Sequence, residues 1–246
     1  MAIWQKLSEK IIDTHCHLQD FDNPLAYAAE LEQKKIHVHT VTISPGQYLS
    51  SKDTFKDFSY ISPALGWLPF MLKDPLSHKD LFFDLIDQTT LIGEIGLDYK
   101  TDDEADRKLQ RQIFEMIVDK SAETKNKVLS IHTRCSAEDT LAIIGPTFPG
   151  TIILHWYSGS PLLMKDLPEN YFLSVNNAMI KSRNGKEILK EINPQQVLTE
   201  SDGPYLDKPE NIKVVIESLA SRWDMSIEEA ADLIYKNYHR AMKNEL

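Results

Sequence analysis

The sequence predicts an α/β chain folded as a (β/α)8 barrel, and three observations carry that expectation. Eight short apolar runs recur along 246 residues, roughly twenty to forty residues apart, which leaves room for a helix and two loops between consecutive runs. The stretches between them carry helical periodicity. Five of the runs end in side chains able to hold a divalent metal: His15 and His17 after IID, Glu94 closing LIGE, His132 after VLSI, His155 after TIIL, and Asp202 after VLTES. Residues so scattered meet at one place only if the fold gathers the carboxyl ends of its strands on a single face, which a closed parallel barrel does.

Taken in order, IID forms the first strand, and runs beginning at Val38 and Tyr60 form the second and third. LIGE, VLSI and TIIL supply the fourth to sixth, a run from Tyr171 the seventh, and VLTES the eighth. Among the helices, Leu109, Ile113, Met116 and Ile117 recur at three- and four-residue steps. Ser226 followed by Glu229 reads as a capping box, and Ile227, Ala230, Ala231, Ile234 and Met242 share one face of the helix it starts, which should seal the barrel. No internal repeat, low-complexity tract or Pro/Gly/Ser-rich linker interrupts the chain, so one domain over 1–246 is expected, with 42% hydrophobic residues to fill its core.

The net charge of −10 argues against a protein that coats long nucleic acid, since phosphate neutralisation needs clustered Lys and Arg. A nuclease remains compatible, because metal ions bring their own positive charge to a substrate phosphate. Only Cys16 and Cys135 occur, with no charged leader ahead of a cleavable apolar segment and no run of membrane-spanning length. A reducing cytoplasm, no membrane association, and a monomer or weak oligomer are the expectations.

His15 and His17 lie two apart on an extended strand end and so point to the same side, whereas Cys16 points away and packs. His37 and His39 repeat the spacing at the start of their run, on the mouth remote from the chemistry, which assigns them a structural or surface role. His78 and His239 fall in helices and are set aside. Four histidines and two carboxylates exceed one tetrahedral ion but suit a pair, and mixed nitrogen and oxygen donors without thiolate accept zinc, manganese, magnesium or nickel. Such ions lower the pKa of water from about 15.7 towards 7. By analogy with other two-ion hydrolases, Asp202 is then placed to accept the proton of the attacking water and Glu94 to bridge the ions. Glu94, standing where many amidases of this architecture have lysine, removes a carbamylated-lysine bridge.

The segments IIDTHCHL, LIGEIGLDY, SIHTR, ILHWYSG and LTESDGPYL resemble the signature blocks of the TatD-like metal-dependent deoxyribonucleases, over nearly the whole chain, and Asn237 matches an asparagine usual in that family's last helix. The resemblance implies a TIM barrel of the amidohydrolase-like type that uses divalent ions to hydrolyse phosphodiester bonds, commonly trimming DNA, single-stranded or at 3′ ends. It implies the six residues above as ligands and Glu200 as a carboxylate behind them. Substrate contacts fall to Arg134, whose guanidinium suits phosphate, and to Lys100, Trp156 and Trp67. Bases stack on aromatic side chains at roughly 1–3 kcal/mol each. Asp98 reads equally as a carboxylate behind the ligands or as a loop residue, and Tyr157 as a rim aromatic or, more readily than Trp156, as packing.

The chain departs from the family pattern at Leu68, where a histidine is usual, at Gln19, where an acid is common, and at Trp156 and Tyr157 in place of Cys-Phe. Its compact length and HWYSG segment are similar to nucleases of bacterial anti-phage Qat operons, which implies antiviral defence beside other operon proteins. Leu68 and the aromatic rim leave two further readings: a hydrolase of another bond, such as an amide, lactone or aminoacyl ester including D-aminoacyl-tRNA, and a non-catalytic scaffold.

Overall fold

A computed structural model describes residues 2–124 and 126–243; Met1, Lys125 and residues 244–246, part of the expected 1–246 domain, lie outside the described residues. Eight strands form one parallel sheet in sequence order: β1 Ile12–Cys16, β2 His37–Val41, β3 Ile61–Trp67, β4 Leu91–Asp98, β5 Val128–Arg134, β6 Thr151–His155, β7 Tyr171–Val175 and β8 Val197–Thr199. The barrel closes between β8 and β1 largely through side chains. Thr14 Oγ1 donates to the Thr199 carbonyl (3.1 Å), Thr199 Oγ1 donates to that of Ile12 (2.6 Å), and the Asp202 N–H donates to His15 O (2.9 Å).

Around the sheet lie α1 (Ala2–Lys6), α2 (Pro24–Gln33), α3 (Pro45–Thr54), α4 (Lys79–Ile86), α5 (Glu104–Thr124), α6 (Ala137–Ile144), α7 (Asn177–Lys181), α8 (Arg183–Glu191), α9 (Ile212–Trp223) and α10 (Ile227–Ala241). Their starts follow local chemistry. Asn23 and Ser44 accept from Ala26 and Gln47 N–H, each followed by a proline that needs no donor partner, and Ser226 with Glu229 completes the capping box. On α5, Ile113 and Ile117 are buried and Leu109 and Met116 pack partly buried against the core. One expected helix is missing: β6 and β7 are joined through a 3-10 turn, Pro161–Met164. Pro168 follows closely and drives its predecessor out of helical backbone, so the segment has no length for an α-helix.

The N-terminal mouth is plugged. Ile12, Val128, Ile153, Phe172 and Leu198, near the starts of five strands, meet Tyr238 and Ala241 of α10. Asn237 Nδ2 donates to the carbonyls of Pro194 (2.8 Å) and Val197 (2.9 Å), and Thr151 Oγ1 to that of Ala241 (2.8 Å). His39 belongs to this mouth: it is buried, lies 3.0 Å from Tyr238 Oη, and burial pushes its pKa down to about 3, while His37 packs on Tyr60.

Near the opposite mouth β2 and β4 touch directly. Thr42 N–H donates to Gly93 O (3.0 Å) and Glu94 N–H to Thr42 O (2.8 Å), across the inner side of β3 at Gly66. A Cβ at Gly66 would overlap the Thr42 carbonyl, so this approach requires glycine. Gly96, at φ 129°, does the same service for β5, since a Cβ there would overlap the backbone of His132.

Candidate metal centre

The C-terminal mouth receives the side chains that the strand ends deliver. His15 and His17, on β1 and just past it, turn inward, and Cys16 between them points away, fully buried, with Sγ 3.5 Å from Gly203 O. His15 Nε2 lies 3.6 Å from Glu94 Oε2 and 3.9 Å from Asp202 Oδ1, and His17 Nε2 lies 3.4 Å and 3.8 Å from the same two atoms. Ser130 Oγ, 2.8 Å from His15 Nδ1, fixes the other edge of that ring. His15 Nε2 is buried without a hydrogen-bond partner. Two imidazole nitrogens and two carboxylate oxygens facing one point, one nitrogen orphaned, fit a divalent cation with nitrogen and oxygen preference.

Glu94 looks both ways. Its Oε1 lies 2.8 Å from His132 Nδ1, so its two oxygens serve two neighbouring groups, and Glu94, His132 and His155 form a second set close enough to share an ion. His155 stacks on His15 with ring centroids 3.4 Å apart. His132 Nε2 lies 3.2 Å from Asp98 Oδ2, so binding an ion through His132 opens one of its two carboxylate contacts. His15, His155 and Glu200 also lie close together, but the Glu200 oxygens are taken. They accept from His155 Nδ1 (2.8 Å), the Trp156 N–H (3.1 Å), Asn176 Nδ2 (2.8 Å) and the Ser174 hydroxyl. Glu200 therefore orients His155, a common task for a carboxylate behind a ligating imidazole.

Burial and charge set the protonation of the group. Burial alone would raise Glu94, but the hydrogen bond with His132 and the imidazoles of His15 and His17 facing it outweigh burial and hold the carboxyl well below its usual range. Burial lowers His15, assisted by the charge of His155. For His155 burial pulls down, yet Glu200, Asp202 and Glu94 lift it to about 9, and Asp98 and Glu94 raise His132 against its burial. Asp202 is pushed up to about 6, chiefly by burial, with His155 opposing and Glu200 and Glu94 adding to the rise. Asp202 (φ 52°) and Trp156 (φ 36°) occupy left-handed backbone, a strain of about 1–3 kcal/mol each that clusters at functional sites.

Above the cluster opens a cavity of about 480 Å³. Arg134 lines it, 52% exposed, its Nη1 3.9 Å from Asp98 Oδ2, and Trp156 lines it, 37% exposed. Trp67 does not belong there. Its indole is fully buried outside the barrel against Phe82 and Phe83 of α4 and donates to Pro75 O (2.8 Å), so the expected substrate contact is corrected to a packing residue. Leu68, the next residue, faces the cavity instead. Lys100 lies in the loop after β4 and is not among the described lining residues; its backbone N–H donates to Asp98 Oδ1 (2.9 Å). Tyr157 is buried, its hydroxyl donating to Ser160 O (3.0 Å), and Gln19 Nε2 donates to Val41 O (2.9 Å). Phe70, Met71 and Tyr205 also line the cavity without having been singled out from the sequence. Tyr205 carried a faint signal, standing within LTESDGPYL, whereas Phe70 and Met71 carried none.

A family model described as TatD related DNase matches residues 12–243. The uncharacterized metal-dependent hydrolase MJ1582 of Methanocaldococcus jannaschii is 29% identical over 252 residues, covering 96% of this chain and 98% of its own. Human deoxyribonuclease TATDN3 is 24% identical, with 92% of each chain covered. Among solved structures, YJJV, a TatD homolog from Escherichia coli, superposes with a TM-score of 0.79 at 17% identity over 97% of this chain and 100% of its own. An uncharacterized amidohydrolase from Saccharomyces cerevisiae gives 0.74 at 14% over 94% and 99%. At such identities these two attest to the barrel and no more.

Proposed function

The chain belongs to the TatD-related DNase family and is a metal-dependent hydrolase of that family; from that premise we propose that it cleaves phosphodiester bonds of DNA, trimming a single-stranded or 3′ end. One barrel domain carries the whole activity. His15, His17, Glu94 and Asp202 would hold one divalent ion, and Glu94, His132 and His155 would hold a second. When bound, the ions supply a water acidic enough to deprotonate near neutral pH and positive charge for the phosphate.

The remaining work falls to the chain. Asp202 Oδ1 faces His15 and His17, and its Oδ2 accepts the proton of the attacking water. Glu200 holds the Nδ1 proton of His155 and so keeps Nε2 directed inward. Arg134 grips a substrate phosphate at the rim and Trp156 offers a face to a base. On this reading the cellular substrate is foreign DNA met in antiviral defence, as the similarity of the HWYSG segment implies.

The observation that carries the proposal is the convergence of His15, His17, Glu94 and Asp202, from the first, fourth and eighth strands, within 3.4–3.9 Å across the mouth. Opposite-end-labelled single- and double-stranded DNA, incubated with magnesium, manganese or zinc, should be degraded by the wild type and spared by His15→Ala and Asp202→Ala. Equal degradation by all three assigns the activity to a contaminant. An inert, metal-loaded wild type transfers the site to another ester or amide.

A further inference from the structure

Three aromatic rings stand against three different imidazoles of the centre. Phe70, in the loop after β3, lies 5.1 Å from His132; Trp156, after β6, lies 6.3 Å from His155; and Tyr205, after β8, lies 5.2 Å from His17, all between ring centroids. Met71 beside Phe70 is 57% exposed and Tyr205 69%. Ile43 and Leu68 continue the apolar lining of the same cavity. Concave apolar surface left open beside a polar floor marks a binding site, since packing has not claimed it.

Charge narrows the occupant. Arg134 is the single Lys or Arg among the described residues lining the cavity, which also presents Asp20, Glu94 and Asp202. Beyond one phosphate at the metal centre and one at Arg134, phosphate contacts therefore do not accumulate along a strand inside it, and any further grip must come from something other than the backbone. A volume of about 480 Å³ falls in the range that encloses one small ligand.

We propose that Phe70, Met71, Trp156 and Tyr205 form a subsite for one unpaired terminal nucleobase, gripped by apolar packing without reading its identity, while Arg134 holds the adjoining phosphate. The proposal rests on the phosphodiesterase reading. The substrate class is then an unpaired oligonucleotide end of any length from a dinucleotide upward. A paired end first has to leave its stack, at a cost of a few kcal/mol.

The test uses metal-loaded enzyme and single strands that differ only in the 3′-terminal residue, intact or abasic. Wild type should show kcat/KM about tenfold or more lower on the abasic end. Met71→Ala, at an exposed position, should slow the intact end about fivefold more than the abasic end, with Met71→Leu restoring the difference. A dinucleotide and a long strand sharing the same terminal residues should be cut with similar kcat/KM. Equal rates on intact and abasic ends, or rates that climb steadily with strand length, overturn the subsite while leaving phosphodiester hydrolysis standing. Failure of the loaded wild type to cut any strand overturns both.

Discussion

Replacing Glu200 by Gln keeps shape and removes charge, and the surrounding donors dictate the response of the site. The carboxylate is 1% exposed and meets four donors. With the amide NH2 on the Oε1 side, it opposes the Trp156 N–H and Asn176 Nδ2. Asn176 cannot flip freely, because its Oδ1 caps α7 by accepting from Met179 N–H at 3.0 Å. Two buried donors then go unpaired, costing about 1–3 kcal/mol each. With the NH2 on the Oε2 side, Ser174 rotates to accept, and His155 Nδ1 accepts too only if its proton moves to Nε2. That move blocks the nitrogen that faces the metal centre. The second orientation is cheaper for the metal-free protein, so Glu200→Gln should fold, lose about 1–2 kcal/mol of stability by urea unfolding, and bind zinc or manganese about 10–100-fold more weakly by titration calorimetry. Nitrogen-15 chemical shifts of His155 should report the Nε2–H tautomer. Wild-type metal affinity together with an Nδ1–H imidazole would refute the reasoning.

Other consequences follow from the same geometry. In chelator, His155 has a folded pKa of about 9 against 6.5 unfolded, so its stabilisation is complete below pH 6.5 and is lost as pH rises through 9, about 3 kcal/mol at about 1.4 kcal/mol per unit. Asp13, raised by burial to about 8, acts in the same direction between pH 3.8 and 8. The urea midpoint should therefore fall from pH 6.5 to 9, and a flat profile contradicts the assignment. Gly66→Ala should cost at least about 3 kcal/mol by thermal unfolding, because its Cβ overlaps the Thr42 carbonyl that holds Glu94 in place; a near-neutral change would mean that β2 and β4 do not touch. Asp202→Asn should lower kcat about 10²–10⁴-fold with the fold retained, and a loss confined to KM would remove it from proton transfer. Arg134→Ala should raise KM on DNA more than Arg134→Lys does, and identical values would return the side chain to its contact with Asp98.

The strands and their inward-facing ends are legible because each ligand sits just past an apolar run, a pattern that survives without knowledge of any partner. Trp67 is misplaced by alternation. It is the last residue of β3, and the side chain there faces the helical layer while Leu68 faces the cavity, so an offset of one position exchanges core for site. Ser130 is invisible for a different reason: its role exists only because β5 lies across the barrel from β1, which sets its hydroxyl beside His15. Phe70 and Met71 follow a proline in a 3-10 turn whose direction no periodicity announces. The missing helix between β6 and β7 is, by contrast, open to inference from Pro161 and Pro168.

The seam that closes the barrel also explains why the first and last ligands meet. A full β8–β1 ladder would carry extended, ladder-bonded backbone through Asp202. Here β8 stops at Thr199, the threonine hydroxyls take over closure, and the chain turns into the left-handed conformation at Asp202 while its N–H still bonds His15 O. The His17 N–H, donating to Gly203 O at 2.7 Å, ties the second histidine to the same turn. Asp202 is thus positioned by the backbone of the histidines it faces, so the distances between these ligands change only if the seam itself opens. Thr199→Val, which removes one closing hydroxyl without a change in shape, should weaken metal affinity although no ligand is touched; unaltered affinity would place the precision of the site in the strands alone.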